Sequence, residues 1–232
     1  MRVWDVPAGY LNRQSLLAEH AEVHGLYSIL LNGKKGYSRH PETLRWAGCL
    51  SGLAMRHEWL AAEMRLRGFS EKTPLKRERP LWPQEWVTPP GRQYDLLKTK
   101  YAGRQAGRIP LPRNPQELWA HHKYSVMARD LEAYHCIGRW VAGRQQQAEG
   151  MRLAQDLVLI LRQEPSQGRL FNALEHMWGH VSAFAAPSER QAVGKGASVL
   201  LHKIQELALR FCEPYLLAST ALCDLEPFLR LA

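Results

Sequence analysis

Across 232 residues, 31 Lys and Arg stand against 22 Asp and Glu, a formal charge of +9, and 45% of residues are hydrophobic. That apolar share supports a packed core and argues against a disordered chain. No apolar run approaches the ~18 residues a membrane span needs; the longest, around Leu157 to Leu161, is core-sized.

The start, Met1-Arg2-Val3-Trp4-Asp5, carries no apolar signal region, so a cytoplasmic protein is expected. Cys49, Cys136, Cys212 and Cys223 lie far apart and form no CxxC pair. They read as buried thiols in a reducing compartment, and neither a metal nor a cofactor is expected.

Strand signals are weak, and the chain reads as all-α. Leu16, Leu17, His20, Val23, His24, Tyr27, Leu30 and Leu31 recur at helical spacing until Asn32-Gly33 stops them. Pro41 opens a second pattern that runs through Leu44, Leu53 and Trp59 to Gly68, with a kink expected near Gly48 or Gly52. Residues 70–92 hold Pro74, Pro80, Pro83, Pro89 and Pro90 among Lys72, Lys76, Arg77 and Arg79, an extended basic connector. A short helix around Gln93 to Tyr101 follows, and then a basic loop to Arg113. Asn114-Pro115-Gln116-Glu117 is a helix start: a cap, a proline at the first position and a Glu three residues after the cap. Further helices are expected over 130–142, 146–163, 169–184, 188–211 and 214–229.

Charge divides the chain at the same point. Residues 1–114 hold 19 Lys and Arg against 10 Asp and Glu, whereas residues 115–232 hold 12 of each. The organisation expected is therefore two helical modules, a basic one over 1–113 and a neutral one over 114–232. A basic half beside a neutral one suits a polyanion partner, nucleic acid above all.

Three constellations could carry chemistry. In the turn 32–40, Lys34, Lys35 and Arg39 can neutralise phosphate, its glycines admit close backbone approach, and Tyr37 can stack on a base. His176 and His180 are spaced i,i+4 and could share a metal, but no third ligand is obvious, and structural roles fit them better. At the N-terminus, Arg2 is too bulky for removal of the initiator, so Met1 should be retained. An α-amine titrates near ~7.7–8.0 and is partly neutral at physiological pH, unlike a lysine near ~10.4. Glu22 could act as acid and base beside it.

Several pieces in order make the first part similar to a known family. They are Arg2-Val3-Trp4, Gln14-Ser15-Leu16-Leu17-Ala18-Glu19-His20-Ala21-Glu22, Asn32-Gly33-Lys34 and Glu63-Met64-Arg65-Leu66-Arg67-Gly68-Phe69. Together they resemble the phage-type pyrimidine-dimer DNA glycosylases (endonuclease V family), small all-α enzymes that cut double-stranded DNA. The resemblance implies attack by the N-terminal amine on C1′ of the damaged nucleotide, a Schiff base, and strand cleavage by β-elimination, with no metal. It places the essential Glu on Glu22 and the Arg beside the amine on Arg2, with a later Lys on Lys98 or Lys100. The chain departs from the family at Ala21 and Gly25, where the family has arginines, and at Ser15, where it has a histidine.

Residues from about 114 onward resemble the YbgA-like domain family. The pieces are Trp119-Ala120-His121-His122-Lys123-Tyr124-Ser125-Val126-Met127-Ala128, Tyr134, Gly138-Arg139, Asn172-Ala173-Leu174-Glu175-His176 and Trp178-Gly179-His180. That family is helical, has no established catalytic role, and occurs fused to thiouracil-desulfidase-like domains. The resemblance implies a polar patch of Lys123, Tyr124, Asn172, His176 and His180.

The combined expectation is a DNA glycosylase/AP lyase with Met1 as nucleophile, Glu22 as acid/base, and Lys34, Lys35, Tyr37 and Arg39 on the DNA backbone. The alternatives are a non-catalytic module for DNA or structured RNA, and a scaffold for an acidic protein partner.

Overall fold

A computed structural model describes residues 1–142, 147–194 and 196–229, all in helices, turns and loops, with no strand among them. Helix α1 (Arg13–Asn32) starts where the Asn12 side chain accepts from the Ser15 N–H at 2.9 Å. It ends at Gly33, which takes the left-handed φ of +60° that a side chain would resist. The pattern from Pro41 to Gly68 forms two helices, α2 (Pro41–Arg45) and α3 (Leu50–Leu66), not one kinked helix. Gly48, at φ +77°, turns the chain between them.

Gly52 has a different use. A Cβ there would sit 2.1 Å from the Leu81 carbonyl oxygen, so its bare backbone seats the connector against α3. The connector is extended, as its prolines require, and Trp82 stacks on Trp59 of α3 at 5.3 Å. Helix α4 (Pro90–Lys100) follows it.

The second half opens with α5 (Pro115–Met127), where the Asn114 side chain caps the Glu117 N–H at 2.9 Å. Glu117 reaches back to the Arg113 N–H, one residue before the cap. Then come α6 (Leu131–Val141), α7 (Gln147–Leu161) and α8 (Gln167–Val181). The expected helix over 188–211 is split into α9 (Pro187–Val193) and α10 (Ala197–Arg210), with Gly196 at φ +127° before α10. The last stretch is three single turns, α11 (Pro214–Leu217), α12 (Ala221–Asp224) and α13 (Glu226–Leu229). Thr220 breaks the run because its N–H and hydroxyl both donate to the His121 carbonyl, at 2.9 and 3.1 Å.

One buried cluster joins Val3, Val6, Leu16, Val23 and Leu60 from the first half to Leu118, Trp119, Leu153 and Leu157 from the second. A second joins Met55 of α3 to Leu174, Met177, Leu200, Ile204 and Leu222. Packing therefore crosses the 113/114 cut. Arg108 shows how tightly: it holds both Glu63 oxygens, at 2.9 and 2.6 Å, and donates to the Leu217 carbonyl at 2.6 Å. Of the four cysteines only Cys223 is buried; Cys136 and Cys212 are exposed, because neither faces a core cluster, and Cys49 is half-buried.

Candidate functional site

The first seven residues lie in a groove between α1, α3 and α4, and buried polar contacts fix their path. The Trp4 N–H donates to Glu19 Oε1 at 2.9 Å, and Arg56 Nη1 donates to the Val6 carbonyl at 3.0 Å. The Asp5 carboxylate takes Arg45, Arg162 at 2.9 Å and the Gln93 amide at 2.7 Å. Burial pushes the Glu19 carboxyl up, while Arg56 and the Trp4 N–H pull it back.

This anchoring brings the chain start to Glu22. The Met1 α-amine lies 3.9 Å from Glu22 Oε1, and the Arg2 N–H donates to Glu22 Oε2 at 2.6 Å. The Glu22 side chain keeps 36% of its surface exposed, so it can meet both the amine and an incoming ligand. Arg2 and Glu22 border an open cleft of about 420 Å³ lined also by Trp4, Ser15, Glu19, Thr99 and Lys100. Arg2 and Lys100 both sit over the Trp4 ring, at 5.0 and 6.0 Å. Two cations, Arg2 and Lys100, and two carboxylates, Glu19 and Glu22, therefore line one cleft, with the Met1 amine beside Glu22, a set suited to a phosphodiester and the sugar it carries.

The other expected residues are distributed unevenly. Of the two candidate lysines, Lys100 lines this cleft, whereas Lys98 lines a separate one beside Pro112 and Gly150. Lys34, Lys35, Tyr37 and Arg39 are exposed on the turn after α1. Ten helical residues separate that turn from Glu22, roughly 15 Å along the axis. Tyr37 takes φ +55° and is 70% exposed, a ring held out at the tip. Ser15, where the family has a histidine, is buried in the cleft wall. Ala21 and Gly25 lie on the exposed face of α1.

In the second half, three of the five patch residues meet. The Tyr124 hydroxyl bonds His180 Nε2 at 2.7 Å, and Lys123 Nζ lies 5.8 Å from the Tyr124 ring centre. His180 also stacks on Tyr215 at 4.9 Å and lies 3.8 Å from Glu213. Asn172 and His176 are exposed on the preceding turns of α8, so His176 and His180 do not share a ligand set among the described residues.

Sequence reading missed a different histidine group. His20 and His24 of α1 meet His57 of α3 and Glu71 of the connector, with one ligand atom from each within 4.8 Å of the others. The i,i+4 spacing of His20 and His24 was visible in the sequence, but His57 and Glu71 are distant in the chain.

Residues 1–77 match the family model of pyrimidine dimer DNA glycosylases, a DNA-repair family. Residues 123–224 match a family described as a protein of unknown function (DUF1722), the YbgA-like family. No curated protein and no solved structure matches the chain. Among the described residues no helix is long and apolar enough to cross a membrane.

Proposed function

Starting from the match of residues 1–77, we propose that the protein is a DNA glycosylase/AP lyase that works through its N-terminal amine. The observation that carries this reading is the approach of the Met1 amine to Glu22, whose side chain borders a cleft that also holds Arg2 and Lys100. In the proposed reaction the neutral amine attacks C1′ of a nucleotide turned out of the duplex, forming the N–C1′ bond. On a damaged nucleotide the base leaves with the glycosidic electron pair and takes up a proton. On an abasic site water leaves instead. Ring opening gives an iminium at C1′, which acidifies C2′. Glu22 removes the C2′ proton, the C3′–O3′ bond breaks, and the 3′ phosphate leaves with those electrons. Water then hydrolyses the imine and frees the amine. Arg2 and Lys100 hold the flanking phosphates, and Lys34, Lys35, Tyr37 and Arg39 hold the backbone farther along α1.

Ala21, Gly25 and Ser15 supply none of the three groups with which the family grips distorted DNA, which favours the abasic site over the dimer as substrate. Borohydride trapping tests the proposal, using duplexes with an abasic site, with a thymine dimer, or intact. The expected result is a covalent adduct on the abasic duplex, mapped to Met1 by mass spectrometry. Steeply salt-dependent binding without any adduct would instead leave a nucleic-acid-binding module without catalysis.

A further inference from the structure

Three imidazoles converge behind α1. His57 Nε2 lies 3.1 Å from His20 Nε2 and 3.1 Å from His24 Nε2. A neutral imidazole nitrogen carries either one proton or one lone pair. His57 Nε2 can therefore complete a full hydrogen bond with only one of its two neighbours, although His57 is wholly buried. Glu71 Oε1 lies 3.9 Å from the same nitrogen, and the Thr73 hydroxyl lies 3.2 Å from His24 Nε2. We propose that His20, His24, His57 and Glu71 bind one divalent transition-metal ion of the zinc type.

A cation at the centre gives all three lone pairs a partner at once. Four ligands at ~2.0–2.2 Å in a tetrahedron stand roughly 3.3–3.6 Å apart, between the 3.1 Å of the imidazole contacts and the 3.9 Å from His57 to Glu71, so a small inward shift of Glu71 would close the shell. The other nitrogen of His57, Nδ1, is buried without a hydrogen bond among the described residues, and Glu58 Oε1 stands 3.5 Å from it, near enough to accept its proton after a small shift. A carboxylate behind a ligating histidine is the usual support of such a site.

The ion would be structural. Four protein ligands close the coordination shell and leave no place for substrate. At 100° per residue, Glu22 projects roughly 200° around α1 from His20 and His24, on the opposite side of the helix. None of the four ligands lines the Glu22 cleft. The ion would instead clip the start of the proline-rich connector, through Glu71, onto the α1 and α3 pair. This inference is independent of the proposed lyase reaction.

The test is a zinc titration of the full chain after chelator dialysis, followed by competition with a colorimetric chelator and by thermal melting. One equivalent should bind, and the melting temperature should rise by roughly several degrees. His24→Gln and Glu71→Gln, both at partly exposed positions, should abolish the tight equivalent and the thermal shift while keeping the helical circular dichroism. Glu58→Gln should weaken zinc by ~10–100-fold. His176→Gln, on α8, should change nothing. Absence of a tight equivalent, or one that survives His24→Gln and Glu71→Gln, would overturn the proposal.

Discussion

The carboxylate of Glu19 grips the Arg56 guanidinium through two hydrogen bonds of 2.8 Å, both side chains buried between α1 and α3. One residue farther along each helix stand His20 and His57. The same Glu19 holds the Trp4 N–H, and the same Arg56 holds the Val6 carbonyl. The pair therefore sets the register of the helices and the path of the N-terminal segment together. Glu19→Gln should destabilise the protein by ~3–5 kcal/mol, because it leaves a buried guanidinium without its counter-charge. Urea unfolding measures this, and a loss under 1 kcal/mol would show the pair to be dispensable.

Glu22→Gln keeps the size of the side chain and its contact with the Arg2 N–H, but removes the base. Cleavage of an abasic duplex should fall by ~10²–10⁴-fold while duplex affinity changes little. Single-turnover cleavage beside a binding titration separates the two effects. Undiminished cleavage would remove Glu22 from the mechanism.

Gly25 has open space around it, since a Cβ built there meets nothing within 4 Å, and Ala21 is exposed one turn earlier. Gly25→Arg and Ala21→Arg should fold normally, the first gaining up to ~1 kcal/mol from helix propensity. Each arginine that reaches a phosphate should steepen the log–log salt dependence of duplex binding by ~0.9. An unchanged slope would place this face of α1 away from the DNA.

Burial holds His122 at about 3 and His121 at about 4. Histidines lowered in this way bind fewer protons folded than unfolded. Their stabilisation is complete above the ordinary histidine range near ~6.5 and is lost as pH falls toward 4 and then 3. Burial pushes Glu63 up, but Arg108 and Arg67 outweigh it and hold it at about 2, so its stabilisation is full above the ordinary carboxylate value and is lost as pH falls from there toward 2. The urea midpoint should drop between pH 7 and pH 4, and His122→Phe should make that drop shallower. An equal slope in the variant would assign the acid sensitivity elsewhere.

Gly52→Ala should loosen the connector, since its Cβ would meet the Leu81 carbonyl at 2.1 Å. A cost of ~1–3 kcal/mol is expected, with faster proteolysis around residues 75–85. An unchanged cleavage pattern would mean that the connector is held mainly by Trp82.

The sequence by itself determined the helical class, the cap at Asn114, the stop at Gly33 and the extended connector. Each of these rests on neighbours a few residues apart, where propensity and capping decide. It also placed Glu22 on the first helix and all of the excess positive charge in the first half. Tertiary structure alone decided which lysine joins the cleft, because Lys98 and Lys100 sit on the same helix but face different hollows. It decided likewise that His20 and His24 find a third imidazole while, among the described residues, His176 and His180 join no such group. A cluster such as His20, His24, His57 and Glu71 forms when helices pack, and packing is set by contacts between residues remote in the chain. Arg108 makes the same point from the stability side. One basic loop residue ties Glu63 to the Leu217 carbonyl, and so locks together two halves that charge alone divides.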